Sequence, residues 1–251
     1  MKKVDICGVP FDDVTMDEAV EAALSLVGSG GYVVTPNAEI CWRCKEDPEY
    51  RGVVCAASLC LPDGAGVIKA ARILEKPLKE KVAGVEFGKK LLAAAACRGI
   101  AVFILGGKPG VAEAAADNLK KEIPSLSVAG ARDGYFCKDG DEADAVYNEI
   151  AASGAGIVLC CLGVPAQEYF ANRYSMQRGA PLFCCLGGSV DVYAGKAKRA
   201  PKIFIKANCE WLYRLIKQPS RIVRMSVIPK YLRYVRNYKK HRMLSKGNDE
   251  Q

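Results

Sequence analysis

Three stretches in the second half of the chain limit what it can fold into. "IAVFIL" at 100–105, "GIVLCCL" at 156–162 and "PLFCCL" at 181–186 are apolar along nearly their whole length, with no polar alternation. A strand that is apolar on both faces must be covered on both, which is the condition of a parallel sheet lying between layers of helices. Each run exits into a glycine-containing loop: "GGKPG" at 106–110, "GVPAQ" at 163–167 and "GGSVD" at 187–191. Helical patterns follow at 111–123 and from 168, and a further strand, "LSVAG" at 126–130, precedes a helix at 141–153. Strand, loop and helix in repeated order predict an α/β, Rossmann-like, mostly parallel, doubly wound sheet. Ligands of such a sheet bind at the carboxyl ends of its strands.

The first half fits the same plan. "KVDIC" at 3–7 and "GYVVT" at 31–35 read as strands, and "ASLCL" at 57–61 as a third. Thr15 and Glu18 form a T-x-x-E capping box that opens a helix. "PNAEICWRCKED" at 36–47, "GVIKAARIL" at 66–74 and the segment 84–99, closed by Gly99, read as helices. The strand exits are then 35–37, 62–66, 106–110, 163–168 and 187–191. Beyond Pro201 the texture changes. "KIFIKANCEWLYRLIKQ" reads as a helix stopped by Pro219, "SRIVRMSVI" as one stopped by Pro229, and "KYLRYVRNYKKHRML" as the last. We expect a core over 1–200, a basic helical appendage over 201–246, and a disordered end over 247–251.

Charge divides along the same boundary. Lys202 to Lys246 holds thirteen Lys/Arg and one acid, Glu210, whereas the rest of the chain is mildly acidic. A basic tail on an acidic body seeks phosphate. In the last helix Tyr231, Tyr234, Val235 and Tyr238 share one stripe, and Arg233, Arg236 and Lys240 lie off it. That pattern fits a helix lying on an anionic membrane; it also fits one docked on its own domain with a solvated charged face. No apolar run of ~18 residues predicts a membrane span, and the first residues lack the apolar segment of a secretory signal. The twelve cysteines, many inside apolar runs, read as reduced, buried small hydrophobes of a cytosolic protein.

Some chemistries are excluded. The chain has one histidine, His241, inside the basic tail. Ser–His–Asp and Cys–His catalysis in the core therefore cannot operate, and His-based zinc sites are disfavoured. "CWRC" at 41–44 has C-x-x-C spacing but lies in a helix and has no second pair at zinc spacing. "DGD" at 139–141 sits in a charged stretch and reads as a solvated loop. No G-x-G-x-x-G follows the first strand, which argues against a nucleotide-dependent oxidoreductase. "GGKPG", with Gly106, Gly107 and Gly110, fits either an anion cradle at a helix N-terminus or a plain tight turn. Gln167 fits a ligand contact or a helix cap. Asp63, in the elbow "LPDGAGVI", fits a turn residue or a base held toward a substrate. Thr35, Asn37, Gln167 and Asp191 share its placement at strand exits, and convergent polar groups in a cleft mark an active site. A non-catalytic nucleotide or anionic-membrane binder would explain the tail but not this cluster.

"TPNAEI", "LPDGAGVI", "LGGKPGVAEAAADNL", "DGYF", "GVPAQE", "GGSVDVYAGKAKRAP" and "EWLYRLIKQPSRIVR" stand in an order and spacing that resemble the TagA/WecG/CpsF glycosyltransferase family, over about residues 3–240. The resemblance implies an inverting, metal-independent transferase without a cofactor, peripheral on the cytoplasmic face of the membrane. It would move an N-acetylhexosamine, typically N-acetylmannosamine or its uronic acid, from a UDP-sugar. The acceptor would be N-acetylglucosamine on a diphosphate-linked polyprenol. The products would feed teichoic acid, common antigen or capsule. A different UDP-hexose donor within the same family is the alternative, nucleic acid is not an expected partner, and homo-oligomerisation stays open. The resemblance also implies roles. Asp63 would be the general base, with Thr35 and Asn37 in the first loop and Gln167 in the second-half loop. Lys81 stands where the family often has arginine, keeping the charge but losing the bidentate fork. Lys81, Gly106, Gly107, Gly110, Gly187, Asp191 and Gln167 would surround the UDP-sugar. Arg214, Arg221 and Arg224 would meet the acceptor diphosphate, and Lys230, Arg233 and Arg236 the membrane. Inversion needs only one base, because a diphosphate leaves as an anion without a proton.

Overall fold

A computed structural model describes residues 1–197 and 226–248. Its centre is a six-stranded sheet in the order β4-β3-β8-β7-β5-β6, parallel at every pairing. The strands are β3 (Tyr32–Val34), β4 (Leu59–Cys60), β5 (Val102–Gly106), β6 (Val128–Arg132), β7 (Ile157–Cys161) and β8 (Leu182–Cys185). The apolar runs at 100–105, 156–162 and 181–186 thus form three of its strands, as their two-sided apolarity predicts. Adjacent cysteines face opposite layers: Cys160 and Cys185 enter one core, Cys161 and Cys184 the other. All are buried, and none of the described cysteines is disulfide-bonded.

Helices cover both faces. One layer holds α2 (Ala38–Glu46), α3 (Pro48–Cys55), α4 (Ala65–Ile73), α7 (Asp141–Ala152), α8 (Ala166–Tyr174) and α10 (Val227–Asn248). The other holds α1 (Met16–Ser25), α5 (Gly84–Cys97), α6 (Val111–Glu122) and the short α9 (Ser189–Tyr193). Alternate strands therefore send their exits to opposite sides. β3 and β7 lead to α2 and α8 on one face, and β8 and β5 lead to α9 and α6 on the other. Diverging exits open the crevice in which α/β proteins bind ligands.

Local signals explain the starts of the first three helices. Thr15 Oγ1 accepts from the Glu18 amide while the Glu18 carboxylate accepts from the Thr15 amide at 2.7 Å, completing the capping box. The helix expected over 36–47 ends at Asp47, whose side chain caps a further helix the sequence reading did not include, α3, with Pro48 at its first position. "KVDIC" is only the first arm of a hairpin: β1 (Lys3–Ile6) pairs antiparallel with β2 (Val9–Asp12). Its turn holds Cys7 and Gly8 at φ 55° and 89°. Cysteine rarely takes that conformation, so the sequence carried no hairpin signal there. "DGD" lies exposed where α7 begins, as expected of a solvated loop.

The tail departs from two expectations. Pro229 does not stop a helix; it sits in the first turn of α10, where no amide hydrogen bond is lost. The Tyr231–Val235 stripe does not face outward. Tyr231 and Val235 are fully buried in the core, and Tyr234 meets Trp42 edge-on at 6.2 Å between ring centres. Lys239 pairs with Glu75 at 2.6 Å. The stripe is the docking face of α10, which corrects its reading as a membrane face. Lys230, Arg233 and Arg236 remain exposed. No described helix is long and apolar enough to cross a membrane.

Candidate functional site

At the end of β3 the chain turns through Pro36 into α2. Asn37 caps that helix, its side chain accepting from the Glu39 and Ile40 amides at 2.9 and 3.1 Å. This is a structural duty that the sequence left open. Thr35 is buried, and its hydroxyl donates to the Cys185 carbonyl at 3.1 Å, joining the ends of β3 and β8. Next door, β4 ends in the elbow that carries Asp63. The Asp63 amide donates to the Pro36 carbonyl at 3.2 Å, which fixes the elbow against the β3 exit. Gly64 then takes φ 86°, a left-handed value that glycine adopts freely, and α4 begins. The "PDG" order is therefore demanded by geometry at the third residue and left for chemistry at the second.

The Asp63 carboxylate is half-buried and accepts from the first amide of α5, Gly84, at 3.4 Å. It lies at the positive end of a fourteen-residue helix, where backbone amides favour an anion. The Val82 amide donates to the Pro62 carbonyl at 2.9 Å, so Lys81, half-buried, stands beside the same elbow. A side chain on Gly84 would lie 3.1 Å from Thr35 Oγ1, and one on Gly64 3.7 Å from Asn37 Cβ. Thr35, Asn37, Asp63, Lys81 and the start of α5 thus share one corner of the crevice. The role of Gly84 has no signal in a single sequence, because only the fold brings residue 84 to residue 63.

Gln167 is buried and anchored on every side. Its backbone carbonyl accepts from the Cys185 and Cys160 thiols at 3.5 and 3.8 Å. Its Nε2 donates to Glu168 Oε1 at 2.7 Å, and its Oε1 accepts from the Gly187 amide at 2.9 Å. Gln167 therefore ties the β7 exit to the β8 exit, and Cys185 ties β8 to Thr35. Asp191, half-buried in α9, lies over the next residue: a side chain on Gly188 would come within 3.8 Å of its Oδ2. Glu168, to which the sequence reading assigned no role, is buried. Removal from water pushes its carboxyl up to about 7, against the opposing pull of its hydrogen bond from Gln167.

The glycine loop after β5 has a packing reason of its own. Gly106 sits at φ 133°, and a Cβ there would fall 2.3 Å from the Cys161 carbonyl, so β5 and β7 approach closely only with glycine. The Gly107 carbonyl accepts from the Gly134 amide at 2.9 Å, and exposed Gly110 caps α6 in the left-handed region. The tight-turn reading thus has its physical cause. A groove of about 310 Å³ runs from Val164 at the β7 exit, past Trp42 and Arg43 on α2, to Val227 at the start of α10. Ile228 of α10 lies against the first turn of α4, 3.8 Å from where a Gly66 side chain would begin. No three His, Cys, Asp or Glu side chains among the described residues are grouped to hold a metal. Arg214, Arg221 and Arg224 lie outside the described residues.

A parallel sheet with polar and carboxylate side chains gathered at diverging strand exits defines an α/β protein that binds and works on a ligand at the carboxyl edge. The chain belongs to the WecG/TagA/CpsF family of glycosyl transferases, whose family model matches residues 4–244. It is 38% identical over 203 residues to the N-acetylglucosaminyldiphosphoundecaprenol N-acetyl-beta-D-mannosaminyltransferase of Bacillus spizizenii, covering 81% of this chain and 77% of that one. To the protein of the same name from Bacillus subtilis it is 35% identical over 202 residues, covering 80% and 77%.

Proposed function

We propose that this glycosyltransferase moves N-acetylmannosamine from a UDP-activated donor onto N-acetylglucosamine carried by a diphosphate-linked polyprenol, with inversion at the anomeric carbon. The relatives' acceptor and sugar support the substrate pair. The observation that carries the mechanism is the Asp63 carboxylate, held at the crevice by Gly84 and presented between Thr35, Asn37 and Lys81. In this reading Asp63 accepts the proton of the acceptor hydroxyl as that oxygen attacks the anomeric carbon. The bond to UDP breaks on the opposite face, and the electron pair leaves with the diphosphate. Fixed donors must meet that charge, and preorganised donors of this kind each supply ~3 kcal/mol. The amides at the α6 start, Lys81, and Arg214, Arg221 and Arg224 from the tail fill that role. The reaction as proposed needs no cofactor. A polyprenol acceptor stays in the bilayer, so the enzyme works at the cytoplasmic surface, where the exposed cations of α10 meet anionic lipid.

The test is UDP release in the presence of a polyprenyl-diphosphate N-acetylglucosamine analogue. Asp63→Asn keeps the shape of the elbow but cannot take the proton, so kcat should fall by ~10²–10⁴-fold with UDP-sugar affinity retained. An Asp63→Asn enzyme of wild-type rate would remove the base from Asp63.

A further inference from the structure

We infer that Glu168 is a positioning residue for transfer: from beneath the crevice it fixes the Gln167 amide and, through it, the Gly187 turn where β8 ends. The inference rests on the strand-exit cluster being the site of the reaction. Glu168 is the third residue of α8 and is 1% exposed; Gln167 is 2% exposed. An amide side chain has a donor end and an acceptor end, and its neighbours decide which way it points. On one side of Gln167 stands Glu168 Oε1, and on the other stands the Gly187 N–H. An ionised carboxylate only accepts, so Nε2 must face it and Oε1 must face Gly187. The reversed amide would set oxygen against carboxylate and NH₂ against N–H. A protonated Glu168 can either accept from Nε2 or donate to a reversed Gln167, so it no longer enforces the orientation and the Gly187 bond loses that support. Gly187 is followed by Gly188 and the turn under Asp191, so its register sets that part of the crevice.

The surroundings of Glu168 fit a group whose charge state is held in balance. Tyr50 on α3 interacts with it electrostatically, yet neither Tyr50 Oη nor Glu168 Oε2 has a partner in hydrogen-bonding geometry among the described residues. Arg43 on α2 favours the carboxylate and also lies over the Tyr50 ring at 5.4 Å. Cys44 on α2, Cys185 on β8 and Tyr32 on β3 face it as groups whose own ionisation Glu168 opposes. The only cation in this set is Arg43, and it is exposed. A carboxylate kept here with one oxygen unbonded costs stability, and such a cost persists where the group has another use.

The test follows the Gly187 amide by NMR in the full chain labelled with ¹⁵N-glycine, from pH 5.5 to 8.5, alongside transfer kinetics. The wild-type Gly187 signal should titrate near neutral pH. Glu168→Gln should abolish that titration, and Glu168→Leu should move the signal at every pH. In the kinetic arm, Glu168→Leu should lower kcat about tenfold in the wild-type background and less than twofold in a Gln167→Ala background, because the two residues act as one unit. Glu168→Gln should lose the near-neutral limb of the kcat–pH profile; should the leucine variant fail to fold, this isosteric change decides alone. A Gly187 signal indifferent to pH and to both substitutions overturns the inference, as do equal kinetic losses in the two backgrounds. A wild-type chain that transfers no sugar sinks the proposed function instead, and the Gly187 titration still decides the role of Glu168.

Discussion

Glu168 makes a stability prediction independent of transfer. Its carboxyl titrates near 4.5 when unfolded and at about 7 when folded. Between those values the folded chain keeps a proton that the unfolded chain has released, so stability falls as pH rises through this window and levels off above it. The loss amounts to roughly 3 kcal/mol, at ~1.4 kcal/mol per pH unit. Glu168→Gln removes the titration. Its Tm, by differential scanning calorimetry, should exceed the wild-type value at pH 8, and the gap should close toward pH 5. Asp63 lies shallower, half-buried where the first amide of α5 meets it. Asp63 past β4 and Glu168 past β7 thus differ in depth, as the proposed roles of proton acceptor and positioning group require.

At the level of strands, loops and helices, the sheet was legible because its signal is local. Two-sided apolarity marks a buried parallel strand wherever it occurs, and the glycine loops punctuate it. The strand-exit cluster followed, since Thr35, Asn37, Asp63, Gln167 and Asp191 each lie within a few residues past the end of a strand. Pairing across the chain was not legible. That Gly84 would meet Asp63, or that Glu168 would turn inward, depends on contacts between segments far apart in sequence or on the depth of a helix turn. The tyrosine stripe of α10 was seen, but a stripe does not say whether lipid or protein covers it. Gly106 separates two uses of the same loop. If packing requires it, Gly106→Ala should cost about 2–4 kcal/mol by urea unfolding, since a Cβ would strike the Cys161 carbonyl. Gly110→Ala, with open space around it, should cost only ~1–2 kcal/mol from its left-handed backbone. Equal, small costs with lost donor affinity would instead make the loop a phosphate cradle alone.

For the molecule as a whole, α10 joins two surfaces. Its inner face belongs to the core through Tyr231 and Val235, while its outer face carries Lys230, Arg233 and Arg236. Replacing those three cations with glutamine should leave Tm unchanged and weaken binding to phosphatidylglycerol vesicles about a hundredfold, at ~1 kcal/mol per charge near the surface. Added salt should reduce the wild-type affinity toward that of the variant. Unchanged vesicle binding would show that these three cations carry no membrane contact.

β8 is the last strand of the sheet in sequence and lies at its centre, between β3 and β7. A chain still emerging from the ribosome can pair β3 with β4, and β5 with both β6 and β7, but these two halves cannot join until residue 185 is free. Until then each half keeps a bare edge open to wrong partners. The same late strand brings Cys185 to Thr35 and Gly187 to Gln167, so closing the sheet and completing the crevice are a single event in the life of a newly made molecule.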